Sequence, residues 1–146
     1  MEQLYTLLFK TQATLFHLFQ KTWVYHWNVV GTDFYQLHQL FGEQYNTMFG
    51  EIDRLTEHMR YLRMKATAPL TKVVSLSQIE EASSPLTANA MVEQLLEDNK
   101  TLCDLFSKVS EEADKSKSYA TTNMIQDLME SHGKFIWMLR SYLRES

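Results

Sequence analysis

Apolar residues recur along most of the chain at intervals of three and four, the period of α-helices that each bury one face. The pattern predicts four long helices: one over about Glu2–Asn28, one over about Phe34–Met64, one that begins near Pro85–Thr87 and ends before Asp114, and one over about Thr121–Leu143. No segment shows the alternation typical of a β-strand. The second helix has the most regular stripe and, at roughly 30 residues, is about 45 Å long.

A long connection, from Ala66 to Ser84, separates the second and third predicted helices. Its middle, Val73–Glu81, is long enough for a short helix of two turns, and Ser84 before Pro85 suits the cap and first turn of the third helix. Two helices, a long crossover and two more helices predict an all-α, ferritin-like four-helix bundle rather than an up-down bundle. We expect residues 1–146 to form this single domain.

The composition fits a folded helical protein and restricts its partners. Hydrophobic residues make up 45% of the 146 positions, with only four glycines and two prolines. The net charge of −4 and the lack of a Lys/Arg-rich arm indicate no dominant affinity for DNA or anionic lipid. The sequence shows neither a secretory signal nor a membrane span, and the single Cys103 leaves no disulfide within the chain. We therefore expect a cytoplasmic location.

Four side chains are candidate metal ligands: His26 near the end of the first helix, and His38, Asp53 and Glu57 on the second. Asp53 and Glu57 lie one turn apart on one helix face. Antiparallel packing of the first two helices brings His26 and His38 together across the turn at Gly31. His38 and Asp53, however, are fifteen residues apart on one helix, which is about 22 Å. Only the carboxylates of another chain can join the histidines, so the spacing predicts a two-fold oligomer.

Imidazole and carboxylate ligands without a thiolate suit iron(II), manganese or zinc. The same four residues also fit a simpler interpretation, because histidines and acidic pairs on amphipathic helices are often solvated or hydrogen-bonded. Spacing alone leaves both interpretations open.

The local sequence adds a family resemblance. The motifs are His26-Trp27-Asn28, Leu37-His38, Asp53-x-x-x-Glu57, Leu70-Thr71-Lys72 with Leu76, and Lys134-Phe135-Ile136-Trp137-Met138-Leu139-Arg140. Together they resemble the Dps family (DNA-binding proteins from starved cells, or mini-ferritins) over nearly the whole chain. The resemblance implies a hollow shell of twelve subunits built from two-fold dimers. It also implies a ferroxidase that oxidises Fe(II), preferentially with hydrogen peroxide, and stores Fe(III) mineral without an organic cofactor.

The resemblance also assigns roles to residues of this chain. Asp53 and Glu57 of one subunit and His26 of its mate would form the first iron site, and His38 would reach a second iron or a bridging water. Trp27 would lie beside the iron, where its indole could absorb a stray radical equivalent; plain packing is the alternative role for Trp27.

Two positions depart from the family pattern. The family usually has an aspartate one turn after the second histidine, where this chain has Gly42, so we expect a weak or absent second iron and slow oxidation. Alternatively, Gly42 permits close packing of the backbone. The acidic pore through which iron enters corresponds to Ser118, Asn123 and Asp127, of which only Asp127 is charged.

These departures leave alternatives to a working ferroxidase. The chain could form a Dps-like shell with an impaired site that acts as a metal-binding or scaffold protein, or it could bind the nucleoid. We expect DNA binding to be weak, since Lys108, Lys115 and Lys117 are interspersed with acidic residues. His17, His58 and His132 match no family motif and are interpreted as ordinary helix-face histidines.

Overall fold

The computed structural model describes residues 1–66, 69–83 and 86–144. Within these ranges the chain forms five helices and no strand. The helices are α1 Glu2–Asn28, α2 Phe34–Tyr61, α3 Leu70–Leu76, α4 Ala88–Lys115 and α5 Tyr119–Tyr142. The four long helices are those expected from the apolar pattern, and α3 is the short helix expected within the crossover. None of the described helices is both long and apolar enough to cross a membrane.

The second helix ends three residues earlier than its apolar stripe indicates. Arg63 adopts a left-handed conformation with a φ of 68°. The backbone N–H of Met64 then bonds back to the carbonyl of Met59 at 2.9 Å, a helix-ending arrangement that satisfies the last turn. Met64 is nevertheless buried in the core. It extends the apolar pattern beyond the helix because it still packs against the bundle.

The short helix lies earlier than the predicted Val73–Glu81, because it begins at Leu70, directly after Pro69, and ends at Leu76. Residues 77–83 are not helical; they run along α1 and bond to its side chains. The predicted Ser84–Pro85 cap lies outside the described residues. In the structure Thr87 caps α4, and its hydroxyl accepts from the backbone N–H of Ala90 at 3.1 Å.

The helices form two hairpins, α1 with α2 and α4 with α5, which enclose one apolar core. Side-chain contacts show that α2 and α5 are antiparallel, because partners higher in number on α2 meet partners lower in number on α5. The three pairs are Glu51–His132, Arg54–Asp127 and His58–Thr121. This packing turns one face of α2 towards α5 and leaves its opposite face, with Asp53 and Glu57, exposed to solvent.

Candidate metal centre

The two candidate histidines meet at the turn between α1 and α2. Nδ1–H of His26 donates to the carbonyl of His38 at 2.7 Å, and Nδ1–H of His38 donates to the carbonyl of His26 at 2.8 Å. Their rings stack with centroids 3.8 Å apart and planes 15° apart. A carbonyl can only accept a hydrogen bond, so both Nδ1 atoms carry the proton. In its neutral form, each imidazole then has its lone pair on Nε2, the atom that could bind a metal.

Gly42 determines how closely the His26 ring can approach α2. A Cβ atom at position 42 would lie 3.1 Å from Cε1 and 3.2 Å from Nδ1 of His26. Any side chain there would press on the ring or displace it from its hydrogen bond. The structure thus places a side chain, the His26 ring, rather than a neighbouring backbone against Gly42.

The candidate carboxylates lie further along the same helix. Asp53 and Glu57 are both exposed, one turn apart on α2. A hydrogen bond with Asp53, and then the negative charge of Asp53, raise the pKa of Glu57 above its usual range. Two carboxyl groups held this close repel each other when both are ionised, and a bound cation would remove the repulsion. The pair has no cationic partner among the described side chains.

The structure brings the four candidates together in two pairs, not in one cluster. No group of three or more His, Cys, Asp or Glu side chains in the described ranges is arranged to hold a metal. The expected distance of about 22 Å along α2 separates the pairs.

Burial raises the pKa of the Cys103 thiol to about 11, so this cysteine supplies no thiolate at neutral pH.

An aromatic cleft on the α1–α2 surface lies between the two pairs. Its volume is about 960 Å³, and it is lined by Phe19, Trp23, Tyr45, Phe49 and Asp53 among others. Phe49 is 70% exposed. Large apolar side chains in a continuous exposed patch indicate a surface that is covered by another molecule.

Trp27 extends this aromatic surface towards the histidines. Its side chain is 56% exposed, and its ring centroid lies 4.8 Å from that of Trp23. Trp23 stacks on Tyr45 at 5.5 Å, and Tyr45 lies 5.1 Å from the His26 ring. Trp27 is therefore in a continuous series of rings that ends at a candidate ligand. About half of the Trp27 indole is exposed, so packing within the chain accounts for only part of this side chain.

Asp127, the one charged residue of the predicted pore set, is paired. Its carboxylate accepts a hydrogen bond from Arg54 at 2.9 Å, and both side chains are about half exposed. Ser118 precedes α5, with its hydroxyl 2.7 Å from that of Thr121, and Asn123 is exposed. Arg54 thus offsets the one negative charge in this set.

A buried polar cluster was missed at the sequence level. His132 is fully buried between α2, α4 and α5, so its interpretation as an ordinary helix-face histidine is wrong. Nδ1–H of His132 donates to Oδ1 of Asn99 at 2.7 Å, since the Asn99 amide nitrogen is itself bonded to the carbonyl of Leu95. Nε2 of His132 lies 2.6 Å from Glu51. The signal was available, because His132 occupies the apolar stripe between Leu128 and Phe135.

Comparison with known proteins agrees with this fold. A family model described as a ferritin-like domain matches residues 5–146. DNA protection during starvation protein 2 of Bacillus anthracis is 30% identical over 99% of this chain and 99% of its own length. The DNA protection during starvation protein of Helicobacter pylori is 31% identical over 90% of this chain and 92% of its own. Dps from Thermosynechococcus elongatus superposes with a TM-score of 0.95 at 26% identity, covering 99% of this chain and 92% of that structure.

These matches define first a class and then a group within it. The fold is that of the ferritin-like proteins, four long helices with one long crossover. Within that class the chain belongs to the Dps family of mini-ferritins, whose general role is iron storage and whose members are oligomers.

Proposed function

We propose that this protein binds Fe(II) at a site shared by two subunits, oxidises it with hydrogen peroxide, and stores the Fe(III) product in a hollow shell of twelve subunits in the cytoplasm. The observation that carries the proposal is the division of the ligands into two incomplete pairs. Each histidine keeps a free Nε2 lone pair, and the two carboxylates lie exposed and adjacent. Neither pair alone makes a metal site, and one chain cannot bring the two together.

A two-fold partner supplies what each pair lacks. If α1 and α2 of two subunits pack antiparallel, the histidines of one chain lie against Asp53 and Glu57 of the other. The same contact covers the aromatic cleft between the pairs and so removes Phe49 and Trp27 from water. One dimer then holds two equivalent sites.

The donor atoms suit iron as a substrate. His26 would bind Fe(II) through Nε2, and Asp53 and Glu57 would bind it through oxygen, a mixture that stabilises Fe(III) after oxidation. His38 would bind a second iron or a bridging water. Trp27 would lie next to the metal, and its exposed indole would either pack on the partner or take up an oxidising equivalent.

Gly42 makes oxidation at this site slower than at a site with a third carboxylate. Hydrogen peroxide accepts two electrons, and one Fe(II) supplies one. With Gly42 under the His26 ring, the site has a firm place for one iron and weak ligation for a second. The second electron must then wait for a weakly bound iron, so turnover is limited by occupancy of the second position.

The observations also favour a second candidate, a Dps-like shell that binds metal without rapid oxidation and serves as a metal-binding or scaffold protein. Gly42 supplies no ligand, and Arg54 neutralises Asp127. We do not favour nucleoid binding, because the net charge is −4 and Lys115 is paired with Glu112 at 3.1 Å.

The first experiment separates these candidates by counting metal before starting the oxidation. Anaerobic titration with Fe(II) gives sites per subunit, and a pulse of hydrogen peroxide then gives the oxidation rate. We expect Asp53→Ala and His26→Ala to abolish the fast phase of oxidation, while Asp104→Ala, at an exposed position on α4, keeps it. Full binding with no peroxide consumption in the wild-type protein would support the metal-binding shell instead.

Hybrid assemblies test whether two subunits share the site. In a dimer of one His26→Ala chain and one Asp53→Ala chain, one site has lost both groups and the other is intact. Random reassembly of an equal mixture should therefore restore about a quarter of the wild-type sites. If the mixture stays as inactive as each variant alone, the ligands do not come from two chains.

A further inference from the structure

The part of the crossover after α3, residues 77–83, is held to α1 by one row of side chains. The Thr14 hydroxyl accepts from the backbone N–H of Gln78 at 3.0 Å, and the Tyr25 hydroxyl accepts from that of Ser83 at 3.1 Å. Between them His17 bonds to Ser77, and Lys21 donates to the carbonyl of Glu80 at 2.9 Å. We propose that this row is an acid-sensitive latch, in which protonation of His17 beside Lys21 releases the crossover from α1.

The hydrogen bonds of the closed latch accommodate a neutral His17. Its Nδ1 lies 2.7 Å from the Ser77 hydroxyl, whose oxygen also accepts from the backbone N–H of Ile79 at 3.3 Å. The Ser77 hydroxyl can donate its hydrogen to Nδ1 of a neutral His17, which accepts through its lone pair. His17 is 7% exposed, so water has little access to a charge placed there.

A proton on His17 would be the second positive charge in this region. Lys21, one turn away on α1, is 1% exposed, and its ammonium lies 2.8 Å from the Asp98 carboxylate on α4. Burial first, and then the charge of Lys21, lower the pKa of His17 below its ordinary value. Three carboxylates oppose this change only in part: Glu81 and Glu80 from the crossover and Asp98 from α4.

The sign of the effect follows from linkage. A histidine whose pKa is lowered in the closed form is neutral in both forms above its ordinary pKa and does not oppose closure there. As the pH falls below that value, the open form takes up the proton more readily, so the closed form loses stability. With an ordinary pKa of 6.5, opening at pH 5.0 can be favoured over opening at neutral pH by at most about 30-fold. The latch is therefore closed at neutral pH and weakened in acid.

Release of the latch would change the outer surface next to α1. A groove of about 450 Å³ between α1 and the crossover is lined by His17, Phe16, Leu70 and Val74 among others, and Phe16 also lines the aromatic cleft. The two apolar surfaces are therefore continuous. In a dimer that shares the metal site, acid would weaken the contact at this edge. This consequence rests on the proposed function.

Hydrogen exchange tests the latch without any metal or assembly. The backbone amides of Gln78 and Ser83 donate directly to α1, so their protection factors report the closed form. We expect these factors, corrected for intrinsic rates, to fall by up to about 30-fold between pH 7.5 and 5.0, while amides of α4 and α5 change little. In His17→Gln the fall should disappear. His58→Gln, which removes a partly buried histidine of α2, should retain it.

A fall of the same size in His17→Gln, or an equal fall throughout the bundle, would overturn the latch. If His17→Gln does not fold, the wild-type protein still decides the question. NMR titration of the His17 ring gives its own midpoint, which should lie below pH 6.5. Protection at Gln78 and Ser83 should fall between pH 6.5 and that midpoint and level off below it. A fall outside this interval would exclude His17 as the group responsible. Failure of iron oxidation would leave all of these outcomes unchanged.

Discussion

The two sides of α2 both carry carboxylates, in opposite physical states. On the side facing α5, Glu51 is buried and lies 2.6 Å from His132, which is bonded in turn to Asn99. On the opposite side, Asp53 and Glu57 are exposed, close to each other, and without a cationic partner in the described chain. Glu51 has its hydrogen-bond partner within the subunit, whereas Asp53 and Glu57 have no cationic partner there.

This difference separates structure from function in a chain with several histidines. A buried carboxylate must be paired, because an uncompensated charge in the core costs several kcal/mol, so Glu51 and His132 are explained by folding alone. Two adjacent exposed carboxylates contribute nothing to folding and repel each other. Under the proposed function, a metal and a second subunit supply the partner that this pair lacks within the chain.

Replacing His132 should have the largest effect on stability. In His132→Leu the leucine fills much of the ring volume but leaves the Glu51 carboxylate and the side-chain amide oxygen of Asn99 buried without a partner. We expect the free energy of unfolding to fall by about 3–5 kcal/mol, measured by urea denaturation of the metal-free protein. The number of Fe(II) sites per folded subunit should stay the same.

Asp53→Ala should have the opposite effects: iron oxidation should be lost and stability should be kept. It should abolish iron oxidation, and it should not lower the melting temperature of the metal-free protein, because it removes one of two like charges. If His132→Leu removed the iron sites from folded subunits, or if Asp53→Ala unfolded the protein, the contrast between the two sides of α2 would be wrong.

Two helical glycines give a smaller test. A Cβ at Gly133, exposed on α5, meets nothing within 4 Å, whereas one at Gly42 meets the His26 ring. Gly133→Ala should stabilise the protein by up to about 1 kcal/mol through helix propensity, without changing iron affinity. Gly42→Ala should lose that gain to the contact with His26 and should weaken Fe(II) binding. Equal behaviour in both variants would show that the His26 ring moves aside freely.

Most of the fold could be predicted from the sequence, because the long helices are amphipathic and few residues interrupt them. The end of α2 could not, since Met64 continues the apolar stripe after Arg63 has ended the helix. The position of α3 was also missed. Residues 77–83 are held by hydrogen bonds to side chains of α1, and no local pattern encodes bonds between segments sixty residues apart.

The sequence predicts the candidate site as a set of residues but not the internal geometry of those residues. Helix length alone separates His38 from Asp53, so the sequence is enough to predict a second chain. The sequence does not reveal that His26 and His38 each bond to the other's carbonyl, or that Gly42 lies against the His26 ring. Those features depend on how two helices pack, as does the pairing of Arg54 with Asp127.

Disrupting the pair of Arg54 and Asp127 should give the smallest effect. This pair belongs neither to the buried Glu51–His132 group nor to the exposed Asp53–Glu57 pair. Both side chains are about half exposed, so Arg54→Gln should change the free energy of unfolding by less than about 1 kcal/mol. It should free the negative charge of Asp127 and modestly raise the initial rate of iron uptake at low salt, with the gain lost at high salt. Lys72→Gln makes the same change in net charge at an exposed position on α3, which packs on α1. If Lys72→Gln raised the rate equally, the effect would come from net charge, and Asp127 would have no special place in the path of iron.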